Sequence, residues 1–162
     1  MTESKLTLTT KLAGNRRMPS LGLLTAAIIA LFAYSLALAA PQAIVTNARI
    51  RLLPVDLPLA GYFDLMNRGD QALILLGASS PAFKMTHMHR SMEHGGTSTM
   101  VSVEHLEIKP GAALHFSPGG YHLMLMHAIK PLKVGEKVPV VLKFTGGQSL
   151  QVMFVVNSAG TE

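Results

Sequence analysis

At 162 residues, with 49% hydrophobic residues and no long low-complexity run, the chain has room for one globular domain behind a distinct N-terminal segment, and not for two. It contains no cysteine, which excludes a disulfide framework, a thiolate metal site and a blue-copper electron-transfer centre. The formal net charge of +5 is concentrated at the start: four of the 14 Lys+Arg and one of the 9 Asp+Glu fall in residues 1–39, leaving ten and eight, or +2, for the rest. So nearly neutral a body carries no electrostatic footprint for nucleic acid.

Lys5, Lys11, Arg16 and Arg17 precede an apolar run from Leu21 to Ala40 that closes on Ala37-Leu38-Ala39-Ala40. A positive start, an apolar centre and a small-residue end describe a secretory signal over residues 1–39, with cleavage expected after Ala39. Pro41 disfavours cleavage one residue later. The alternative is an uncleaved membrane anchor, because about twenty apolar residues suffice to span a bilayer. Arg16-Arg17 is only a weak twin-arginine signal, flanked as it is by Asn15 and Met18-Pro19. On either reading residues 40–162 face the periplasm, and contact with the membrane is limited to the N-terminal segment.

From residue 43 onward the sequence reads as short strands separated by Gly, Pro, Asn or Asp. AIVTNARIRLL, AGYFDLMN, ALILLGAS, TMVSVEHLEI, AALHFS, YHLMLM, KVPVVLKF and LQVMFVVN are rich in β-branched and apolar residues. In TMVSVEHLEI, Val101 and Val103 alternate with Ser102 and Glu104. This pattern predicts an all-β sandwich or barrel of seven to nine strands. Asn67-Arg68-Gly69-Asp70, Pro110-Gly111 and Gly146-Gly147 read as hairpin turns. Met66 and Met153, inside apolar strands, read as core packing.

All seven histidines and six of the ten methionines lie between Met85 and His127. Imidazole nitrogen and thioether sulfur are neutral, fairly soft donors, and the metal that favours this mixture without a hard carboxylate is copper, above all Cu(I). His122 and Met124 are two residues apart, so on a strand both leave one face while Leu123 leaves the other. Pro118-Gly119-Gly120 sets a tight turn just before them. Upstream, His89 and Met100 flank a Gly-Gly-containing segment that reads as a hairpin folding back on itself. One nitrogen and one sulfur from each region would make a site of four donors.

Other donors have plainer readings. His105 and His115 stand alone in strands and read as surface or hydrogen-bonded residues, His127 as solvated or as support for the ligands, and Met126 as structural. His87, Met88, His94 and Met85 crowd the first candidate ligand, and His87 is able to replace or share the place of His89.

His89, ten residues, Met100, twenty-one residues, then His122-x-Met124 resembles the motif of the periplasmic copper chaperone family PCu(A)C. GGYHLMLM followed by KPLKVGEKVPVVLKF is similar to that family's C-terminal half, and the resemblance runs from about Ala43 to Val156. Arg90 departs from the acidic residue that often follows the first histidine there. The resemblance implies a cupredoxin-like β-sandwich, a Cu(I) site of His89, Met100, His122 and Met124, and delivery to a copper-accepting protein of cytochrome oxidase assembly. It implies a carrier rather than an enzyme. The alternatives are a copper- or zinc-dependent extracytoplasmic enzyme, for which Glu93 is the only nearby carboxylate, and a β-sandwich binding module without metal.

Overall fold

The computed structural model describes residues 42–54 and 57–160; the expected signal or anchor over residues 1–39 and its cleavage point lie outside them. Among the described residues ten strands form one continuous hydrogen-bonded sheet. They are β1 (Ala43–Leu52), β2 (Leu59–Asn67), β3 (Leu73–Ser79), β4 (Phe83–His94), β5 (Thr97–Ser102), β6 (Leu106–Ile108), β7 (Ala113–Phe116), β8 (Tyr121–Ala128), β9 (Lys137–Phe144) and β10 (Ser149–Ser158). Across the sheet the order is β5-β4-β8-β7-β2-β1-β10-β9-β3-β6, and β8 also pairs with β2. The sheet folds over so that β3 lies against β4, which makes it a cupredoxin-like sandwich with one buried inner face.

Alternation selects that face. In β9 Val138, Val140, Leu142 and Phe144 are buried while Lys137 and Lys143 are exposed. Phe63 of β2 stacks on Phe116 of β7 at 4.2 Å between centroids and meets Phe154 of β10 edge-on at 5.6 Å, joining the two layers. Aromatic pairs of this kind contribute about 0.5–1.5 kcal/mol beyond the area they bury. On β8 the inward residues are Leu123 and Leu125, and on β4 Met88 is only 3% exposed.

Four expectations need correction. The strand count is ten rather than seven to nine, because TMVSVEHLEI is split and Phe83–His94 is a full strand. Val103 still donates its N–H to the Met88 carbonyl beside β4, but the chain then crosses to pair β6 with β3. Neither Asn67–Asp70 nor Pro110-Gly111 turns a hairpin. Both connect one layer to the other, and the fully buried Asn67 ties them together. Its side-chain amide donates to the carbonyls of Gln71 (2.7 Å) and Ile108 (2.9 Å), and its main chain bonds Gly111 and Ala112. Met66 and Met153 are exposed on the outer face, not core residues. Gly146-Gly147 does join the antiparallel pair β9 and β10.

Candidate metal centre

Three adjacent strands, β5, β4 and β8, carry the predicted donors. The β4–β5 hairpin turns on Gly95-Gly96, whose φ values of 59° and 79° fit a two-residue turn that needs positive φ at both central positions. That turn sets His94 opposite Thr97, and hence Ser91 opposite Met100 and His89 opposite Ser102. On the other side of β4, His89 faces His122 and His87 faces Met124. Directly opposed residues share a face, so His87, His89, Met100, His122 and Met124 all project from the outer side, away from Met88, Leu123 and Leu125.

The entry into β8 is equally determined. Gly120 N–H bonds the Ser117 carbonyl at 3.0 Å and Gly119 has φ 76°, which with Pro118 ahead of it matches a type II turn. The Gly120 carbonyl accepts the Ser91 N–H at 3.0 Å and lies 3.2 Å from His122 Nδ1. If Nδ1–H donates to that carbonyl, Nε2 is left as the lone-pair nitrogen, the arrangement seen when imidazoles ligate metals. Tyr121 points to the opposite side, against Phe116, with the Arg90 guanidinium 5.2 Å from its ring centroid. Arg90, which stands where the family often carries an acid, thus packs against Tyr121.

His122 is 7% exposed, and its ring lies edge-on to that of His89 with centroids 5.9 Å apart. His89 Nδ1 is inaccessible and has no hydrogen-bond partner. Burial, followed by the neighbouring His122 and His87, holds the His89 pKa below the usual imidazole value. The ring is therefore kept neutral, as a metal ligand must be. In the tautomer that leaves Nδ1 its lone pair, that nitrogen has no hydrogen-bond donor competing with a metal for it.

Of the four predicted ligands, the fold brings His89, His122 and Met124 onto neighbouring rungs of one strand pair. Met100 stands apart: β4 separates its strand from β8, it sits diagonally from His89, and it is 58% exposed at the sheet edge. His87, weighed as a substitute for His89, lies on the same face with its ring centroid 6.3 Å away. His115 instead places Nδ1 2.6 Å from Asp64, its opposite residue on β2. Among the described residues no three His, Cys, Asp or Glu side chains converge as a metal cluster.

A cupredoxin-like sandwich without cysteine, with paired histidines and thioethers on the outer face of one strand pair, has the architecture of a PCu(A)C domain. The chain belongs to the family described as "Putative lipoprotein LpqE-like", whose model matches residues 44–156. It is 35% identical over 94 residues to "Putative lipoprotein Lxx21020" of Leifsonia xyli subsp. xyli, a match that spans 57% of either chain. The solution structure of CuI-DR1885 from Deinococcus radiodurans is 34% identical, with a TM-score of 0.60, over 75% of this chain and 81% of that one. A copper-bound PCuAC domain from PmoF2 shares the fold at 19% identity and a TM-score of 0.61, over 74% of this chain and 96% of that domain.

Proposed function

We propose that the chain is an exported copper carrier that holds Cu(I) between His89, His122 and Met124, with Met100 as the outer donor. One observation carries the reading. Two imidazoles face each other on the outer side of the sheet, one with a buried nitrogen that bonds to nothing, with a thioether on the next rung. Such a nitrogen costs about 1–3 kcal/mol unless something binds it, and the soft donor set favours Cu(I). The relative solved with Cu(I) supports the same cargo.

Neutral nitrogen and thioether donors bind Cu(I) without contributing charge, so an acceptor offering thiolates can displace them one at a time. Met100, on the exposed edge strand, is the donor that such an acceptor meets first. The acceptor in this reading is a protein of cytochrome oxidase assembly, reached outside the cytoplasm. Relatives bear lipoprotein names, and in this reading the apolar run Leu21 to Ala40 directs export or anchors the domain to the membrane.

A Cu(I) competition titration against a chelator tests the reading. His122→Ala and Met124→Ala should each weaken binding by about 100-fold or more, while the circular dichroism of the apo protein stays that of the wild type. Wild-type affinity in both variants would overturn the site.

A further inference from the structure

The solvent-side residues of β4 and β8 form a ladder with three rungs: His89 faces His122, His87 faces Met124, and Met85 faces Met126. An outward sheet face ordinarily carries polar or charged residues. Here six successive outward positions are three imidazoles and three thioethers. The core does not require them, because Met88, Leu123 and Leu125 fill the inner side of the same strands. Met85 is 44% exposed, His87 is exposed and Met126 half-buried, so these thioethers are not packing residues.

We propose that Met85, His87 and Met126 form a second Cu(I) site, one to two rungs along from the His89–His122 pair; this rests on the copper-carrier reading. Directly opposed side chains have Cβ atoms about 4.5–5.5 Å apart, and successive outward residues on a strand are about 7 Å apart. Met85 and Met126 therefore project side by side, with His87 on the adjacent rung, within the reach of long flexible thioethers. Two sulfurs and one nitrogen are a complete soft donor set for a monovalent ion. The two sites need share no donor, since His89, His122, Met124 and Met100 remain for the first, and the domain then carries two ions.

Native mass spectrometry of the full-length chain, titrated anaerobically with Cu(I) in the presence of a competing chelator, tests this. The wild type should retain two ions, a Met85→Leu/Met126→Leu variant one, and a His89→Ala/His122→Ala variant one. Leucine is close to methionine in volume and both positions are accessible, so the double leucine variant should fold as the wild type, which circular dichroism verifies. A wild type that saturates at one ion, a leucine variant that retains two, or a histidine variant that loses both overturns the second site. A wild type that retains none overturns the carrier reading as well, so the two failures are distinguishable.

Discussion

Replacing His89 by leucine should make the metal-free protein more stable and the copper-binding protein worse, and the two signs together test the site. His89 Nδ1 is inaccessible and unbonded, a penalty of about 1–3 kcal/mol that an apolar side chain of similar size removes. Against this stands the edge-on contact with the His122 ring, of about 0.5–1.5 kcal/mol by analogy with aromatic pairs. The net expectation is a gain of about 1 kcal/mol, or roughly 3–6 °C in Tm for a domain of this size. Loss of one nitrogen donor should weaken Cu(I) binding by about 100-fold, or 2.8 kcal/mol. Urea unfolding of the apo proteins and chelator competition measure the two quantities. His115→Leu is the control, because its nitrogen is engaged with Asp64 and it should leave copper affinity unchanged. An apo His89→Leu protein less stable than the wild type by more than about 0.5 kcal/mol would show that the nitrogen carries no penalty, and the argument for a waiting ligand would fail.

Two further predictions address the hairpin and the outer face. Met100→Leu should leave apo stability within about 0.5 kcal/mol, because the side chain is exposed. It should nonetheless weaken Cu(I) binding about tenfold or more, and unchanged affinity would remove the edge strand from the site. The Asp64 carboxyl is held below the usual carboxylate range by the Asn47 side-chain amide (2.6 Å) and then by His115. A depressed carboxyl contributes stability that is present above its unfolded pKa of about 3.9 and is lost as pH falls through the folded value. Asp64→Asn should therefore cost roughly 0.5 kcal/mol at pH 7, the modest amount expected of a partly exposed pair. Unfolding curves of variant and wild type should converge as the pH is lowered, and a difference that persists in acid would assign the loss to something other than the carboxylate.

Much of the fold was legible in the chain because β-structure has a local signature. Runs such as KVPVVLKF and YHLMLM marked strands, and the Gly-Gly segment between His89 and Met100 marked a hairpin. The absence of cysteine, and the concentration of histidine and methionine between Met85 and His127, restricted the chemistry to soft neutral donors. Neighbouring strands are another matter, since pairing is settled by contacts between residues far apart in the chain. Asn67 shows why: its amide binds carbonyls of Gln71 and of Ile108, 41 residues on, and so turns two apparent hairpins into crossings between layers. In the same way, only the order β5-β4-β8 decides that His89 meets His122, that His87 meets Met124, and that Met100 lies at the edge. Side-chain identity and facing are properties of a segment; which segments lie side by side depends on burying one continuous core and satisfying its polar groups, and that emerges only when the whole sheet closes.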